Sequence, residues 1–174
     1  MKRNSLRRAD SGAQGRSRTP RVRPARREDR AAIQSLWADV DRIHAALHPN
    51  YFRGDGRLDS RLSEAIERVS ETRELIVAER EGAVVGFVLV EMLEPSKQSR
   101  NVRNRRGHID ALIVAPSARR SGCGRRLMEA ACSWARSRRA EELLLTVWAG
   151  NQVAERFYEE LGLERVSHVM RMGL

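Results

Sequence analysis

Residues 119–127 read Arg-Arg-Ser-Gly-Cys-Gly-Arg-Arg-Leu, with two alternating glycines set among four arginines. The stretch follows an apolar run that ends at Val114, Ala115 and Pro116. It precedes Leu127, Met128, Ala131, Cys132, Trp134 and Ala135, which recur at helical spacing. The first N–H groups of a helix have no partner within it and lie at the positive end of its dipole. Glycines there let an anion approach closely, so the expected ligand is a phosphate group. The loop is not a Walker loop, because no Gly-Lys-Ser/Thr follows. It is not a dinucleotide fingerprint either, because the third glycine is missing. Taken alone, it is explained as well by a flexible helix start.

A second stretch changes that balance. Residues 147–163 contain Trp148, Asn151, Ala154, Phe157, Tyr158, Leu161, Gly162 and Leu163. With Arg119-x-x-Gly122-x-Gly124, the segment Asn151…Ala154…Tyr158…Gly162-Leu163 resembles the GNAT superfamily of acetyl-CoA-dependent N-acetyltransferases. The two motifs have the separation that family shows, and a helix and a strand join them. The resemblance covers residues 21–174 and is sharpest from His108 to Leu163.

The resemblance implies a fold, a co-substrate and a set of residues. The fold is α/β, a mixed central sheet of about six or seven strands splayed at the cofactor site and flanked by about four helices. Acetyl-CoA would lie along the exposed strand edge at Leu112, Ile113 and Val114. Arg120, Ser121, Gly122, Cys123, Gly124 and Arg125 would hold its pyrophosphate, and Arg119 would add charge. Asn151 would touch the cofactor arm while capping its helix. Tyr158 matches the tyrosine placed beside the sulfur, where an acid assists departure of the thiolate. The competing reading makes it a core residue beside Phe157. Some relatives carry a glutamate base five residues before the asparagine; Thr146 stands there and cannot serve. Asp110 is then the expected base, directly or through water, with His108 second. Period-2 alternation would put His108, Asp110 and Leu112 on one face. Asp110 could instead anchor a loop arginine such as Arg103 or Arg105. Amide groups near Ile113 would stabilise the oxyanion. No metal is implied.

The element order follows from periodicity and breakers. Residues 21–24 read as a short strand, and a helix runs from Glu28 through Ile33, Leu36, Trp37, Val40, Ile43 and Leu47 until Pro49 stops it. Leu58, Leu62, Ile66 and Val69 mark a second helix. Residues 75–79 and 83–92 form a hairpin around Glu81-Gly82. A strand at 108–115, a helix at 122–139, a strand at 143–148, a helix at 151–161 and a last strand at 166–172 complete the order. Helices on both faces of a mixed sheet are expected.

Composition bounds the rest. The chain has 174 residues, 19.8 kDa and 32% charged residues, enough for one core-forming domain. Its net charge is +10, which first suggests a nucleic-acid binder. Residues 1–27 hold ten Lys/Arg against Asp10 alone, so nine of those ten charges lie there. The body is nearly neutral. Residues 1–20 read as a disordered basic tail with weak, nonspecific attraction for nucleic acid, and 21–174 as the acetyltransferase domain. No apolar run reaches the roughly 20 residues of a membrane span, so no membrane partner is expected. The two cysteines, Cys123 and Cys132, are nine positions apart on one helix; steps of about 100° put them on opposite faces. Free thiols fit a cytoplasmic setting. His44 and His48 have metal-like spacing but no third ligand, and are expected to edge the substrate side with Tyr51 and Phe52. The basic stretch 97–106 reads as a solvated loop.

The function expected is acetyl transfer to a primary amine, a small molecule by preference. The stretch 44–52 resembles a lid of small-molecule members of the GNAT superfamily, which favours such an acceptor over a protein N-terminus or lysine. A non-catalytic acyl-CoA-binding module is the alternative from another class, and a homodimer is left open. A chain starting near Thr19 should keep its turnover on a small amine and lose salt-sensitive adsorption to nucleic acid. A large fall in turnover number would show that the tail takes part in the chemistry.

Overall fold

The computed structural model describes residues 19–68, 70–93 and 105–173. Most of the basic tail and most of the 97–106 stretch, Arg103 included, therefore lie outside the described residues. Five strands form one sheet in sequence order: β1 (Arg21–Pro24), β2 (Arg73–Arg80), β3 (Ala83–Leu93), β4 (Arg106–Val114) and β5 (Glu142–Leu145). Neighbours are antiparallel except for the parallel pair β4 and β5. The helices are α1 (Arg30–Leu47), α2 (Ser60–Glu67), α3 (Cys123–Ser137) and α4 (Gln152–Glu160).

The central strands are buried on both faces, which is why β2 and β3 read as nearly continuous apolar runs. Leu75, Val77, Phe87 and Leu89 face Ile33 and Leu36 of α1 and Leu62 and Ile66 of α2. Ile76, Ala78, Val88 and Val90 face Leu127, Met128, Ala131 and Trp134 of α3, with Phe157, Tyr158 and Leu161 packed at the margin. The hairpin at Glu81-Gly82 has positive φ at both residues, 54° and 84°, the turn that matches strand twist. At the chain's entry, the Arg23 guanidinium donates to both oxygens of buried Asp29, at 2.7 and 2.9 Å. Those bonds hold the Asp29 carboxyl below the usual range and fix β1 to the start of α1.

Three expectations are corrected. The described sheet has five strands, not six or seven, because residues 166–172 form no strand and stay in solvent. Val166 is 77% exposed and Val169 96%. The strand expected over 143–148 ends at Leu145. The alternation expected across His108, Asp110 and Leu112 is broken by a bulge. Ile109 pairs with Val90 and Ala111 with Leu89, which leaves Asp110 as the extra residue. Consequently Ile109 packs with the α3 core while Ala111 and Ile113 pack with the α1/α2 core. His108 and Asp110 face α1 and α2, and Leu112 faces α3.

β5 pairs with β4 only from Arg106 to Ile109. Among the described residues, 110–114 of β4 therefore have β3 on one side and no strand on the other. Opposite this open stretch, Gly86 of β3 lies against β4 so closely that a Cβ would sit 2.7 Å from the Ile113 carbonyl oxygen. Backbone cannot yield as a side-chain tip does. Gly86→Ala should therefore cost about 1–3 kcal/mol through overpacking. For a chain of this size that lowers the melting temperature by about 2–4 °C per kcal/mol. A thermal melt checks it.

Candidate active site

The open stretch of β4 presents backbone polar groups. The Ala115 N–H donates to the Val85 carbonyl, and the Ile113 carbonyl lies over Gly86, so the odd positions turn toward β3. By alternation, Leu112 and Val114 turn their N–H and C=O groups into the gap. The Arg119 guanidinium donates to the Val114 carbonyl at 3.4 Å, from the side away from β3. Ile113 differs from its two neighbours, since its side chain is buried in the α1/α2 core and its backbone serves β3. The gap-facing amides belong to Leu112 and Val114 rather than to Ile113.

Beyond the edge, Pro116–Ala118 makes a single tight turn and α3 begins at Cys123. Gly122 is the N-cap, at φ 84°, and supplies no side-chain cap. The earliest bond back along the helix runs from the Arg126 N–H to the Gly122 carbonyl. The N–H groups before it are left for an outside acceptor. No acidic residue sits in the first turn, and Arg119, Arg120, Arg125 and Arg126 are all exposed around it. Arg120 also has positive φ, 60°. Ser121 is spent internally: its hydroxyl donates to the Ala118 carbonyl at 2.6 Å. Cys123 is buried. The two glycines differ. A Cβ on Gly122 would meet nothing within 4 Å, so its need is the left-handed backbone. A Cβ on Gly124 would sit 2.9 Å from the Phe157 ring, so its need is close packing of α3 on α4.

Two ionisable side chains flank the gap from opposite faces. Asp110 faces α2, where Arg61 donates to it at 3.1 Å. Its ion-pair partner is thus Arg61, not Arg105. Burial, and after it the nearby carboxylate of Asp59, push Asp110 above the usual carboxylate range, while Arg61 pulls the other way. On the α3 side, Tyr158 packs beside Phe157 with ring centroids 5.1 Å apart. Burial pushes its phenol up to about 12. Asn151 caps α4, accepting from the Ala154 N–H at 3.2 Å.

Residues 48–59 cross the α1/α2 side of the gap. They begin against Trp148, just beyond β5, and end at Asp59 beside Asp110. Trp148 meets Phe52 at 4.9 Å, Tyr51 at 5.0 Å and His48 at 5.3 Å between centroids; His44 meets Phe52 at 4.8 Å. His44 and His48 thus lie on this side with Tyr51 and Phe52.

Glu91 was missed from sequence. It stands opposite His108 in the β3–β4 register, and ligand atoms of Glu91, His108 and Asp110 lie within 4.8 Å of one another. That set could hold a cation, but its carboxylates already meet Arg61 and Arg73. A glutamate in an apolar run is a visible signal; its partner across the sheet is not.

The mixed sheet thus parts between β4 and β5 beside an anion-ready helix start. The Acetyltransferase (GNAT) family matches residues 31–163. The chain belongs to that family. It is 37% identical over 135 residues to a mycothiol acetyltransferase of Acidothermus cellulolyticus, a match covering 74% of this chain. It spans about a third of that relative's length, 36%. Among solved structures, a mutant BH1408 protein from Bacillus halodurans superposes with a TM-score of 0.81 at 22% identity, covering 88% of this chain and 99% of that one. An aminoglycoside N-acetyltransferase in complex with CoA gives 0.67 at 16%, covering 93% and 97%. No described helix is long and apolar enough to cross a membrane.

Gly122→Val forces a β-branched residue into left-handed backbone at the helix start. CoA affinity should fall by about tenfold or more, as expected when charge-assisted bonds are lost. Gly124→Ala should lower the melting temperature instead. Calorimetry with CoA beside thermal melts separates the two; wild-type CoA affinity in Gly122→Val would remove the anion site from residues 119–125.

Proposed function

We propose that residues 21–174 are an acetyl-CoA-dependent N-acetyltransferase domain for a small primary amine, working by direct attack in a ternary complex. The observation that carries the reading is the gap beside β4. Its polar edge at Leu112 and Val114 ends at an unfilled helix start ringed by arginines. An extended amide-bearing arm with a pyrophosphate at its end matches both parts at once. The reading gives Leu112 and Val114 the arm, and Arg119, Arg120, Gly122, Cys123, Gly124 and Arg125 the phosphates. Asn151 orders the start of α4 beside them.

The placement of Asp110 and Tyr158 on opposite faces supports the chemistry. The amine approaches from the α1/α2 side, across residues 48–59. Asp110 takes a proton from it, directly or through one water, because an ammonium has no lone pair. The amine nitrogen then bonds to the thioester carbonyl carbon, and the Leu112 N–H faces the oxygen that becomes negative. When the carbon–sulfur bond breaks, the Tyr158 hydroxyl gives its proton to the departing sulfur. The nitrogen in the new bond still carries one proton more than an amide; that proton leaves it and restores the tyrosinate, and Asp110 releases its own to solvent, so one proton leaves per turnover. A phenol held near 12 stays protonated at neutral pH, as an acid must. Small-molecule acceptors are favoured because residues 48–59 lie across the entrance.

A turnover screen over polyamines, amino acids, aminoglycosides and N-terminal peptides tests the acceptor class. Tyr158→Phe should leave CoA affinity intact and lower turnover by about 10²-fold or more. Asp110→Asn should lose rate at neutral pH, with the loss shrinking toward pH 10 as free amine becomes abundant. Stability provides the control. A carboxyl whose pKa is raised by folding stabilises the chain while protonated and loses that contribution as pH rises through the folded value. At neutral pH, Asp110→Asn should therefore melt no lower than wild type. An unchanged rate at neutral pH would move the base to His108 or a water chain.

A further inference from the structure

Asp59, Glu91 and Asp110 converge on the α1/α2 side of the gap, where two guanidinium groups meet Glu91 and Asp110 while Asp59 accepts from the Leu62 N–H. Those two groups are held differently. Arg73 is Glu91's register partner on β2, and it binds that carboxylate at 3.1 Å from a side chain 22% exposed. Arg61 reaches in from the first turn of α2. Its side chain is 55% exposed, and one nitrogen spans Asp110 at 3.1 Å and Glu91 at 3.4 Å. An ion pair made by an exposed, long side chain contributes about 0–1 kcal/mol, so such a group leaves at small cost. Asp110 and Glu91 are largely covered, at 17% and 13%.

Resting on the acetyltransferase reading, we propose that Arg61 is a built-in stand-in for the acceptor's cation. Its head group occupies the position between Asp110 and Glu91 that an incoming ammonium takes, and the acceptor displaces it. Glu91 then binds the acceptor beside Asp110, while Arg73 stays in place as a fixed counter-charge. Three carboxylates against one remaining guanidinium select a cationic amine and repel one that carries a carboxylate next to its nitrogen. The acceptor class is thus a primary amine without an adjacent anion.

Methylguanidinium, the head group of Arg61 freed from the chain, is the direct probe. Calorimetry in the presence of CoA should show it binding Arg61→Ala about two- to fivefold more tightly than wild type. Glu91→Gln added to that variant should abolish the gain. With the best amine of the turnover screen, Arg61→Ala should lower the acceptor KM about two- to fivefold and leave the acetyl-CoA KM unmoved, while Arg61→Lys should behave like wild type. Equal methylguanidinium binding in wild type and Arg61→Ala overturns the proposal, as does an acceptor KM that rises in Arg61→Ala. Failure of every amine to turn over, with the binding difference intact, would instead count against the acetyltransferase reading.

Discussion

The organising constraint is the stretch of β4 that lacks a neighbour. Backbone N–H and C=O groups kept from water need partners, and an unpaired strand edge invites them. Here the edge lies between two strands of one sheet, not at its rim. β5 meets β4 over four residues and then departs. The aromatic contacts of Trp148 with His48, Tyr51 and Phe52 hold the departing chain toward the α1–α2 connection. The gap therefore depends on side chains far apart in sequence, and any ligand that fills it must supply its own strand-like hydrogen bonds.

The bulge at Asp110 then divides the two faces of that gap. Without the extra residue, Asp110 and Leu112 would share a face, and Leu112 would lose its place against the α3 core. With it, a carboxylate faces the α1/α2 side while Leu112 and Tyr158 pack on the other. Asp110 is held at some expense. Burial opposes the charged form of Asp110 and the ionised form of Tyr158. The placement of Asp110 is not explained by packing alone, because an apolar side chain would occupy the same space without that penalty; the phenol of Tyr158, neutral below its raised value, bears none. The proposed reaction uses the two for proton transfer on opposite sides of one reacting carbon.

What the sequence made legible was local. The Gly122-x-Gly124 helix start, the Asn151 cap, the Glu81-Gly82 turn and the helical spacing of α1 to α4 rest on residues within a few positions of each other. They are where the periodicities and breakers placed them, within a few residues. What stayed hidden depends on pairing. The bulge at Asp110 is visible only in the β3–β4 register, and the same register puts Glu91 beside His108. Arg61 reaches Asp110 from 49 positions away, so neither Arg103 nor Arg105 could be chosen or dismissed by spacing. Residues 166–172 alternate well enough for a strand, yet no strand pairs with them. That the missing side chain of Gly124 also makes room for Phe157, 33 positions on, is not visible in its spacing from Gly122.

Amide hydrogen exchange at Leu112, Ile113 and Val114, with and without CoA, tests the central claim most directly. The account predicts that CoA slows exchange at the gap-facing Leu112 and Val114 amides by about tenfold or more, the scale of one added hydrogen bond. The Ile113 amide, already paired with β3, should change far less. Equal exchange at Leu112 and Val114 with saturating CoA would contradict the account, because the open edge of β4 would then have no part in holding the ligand.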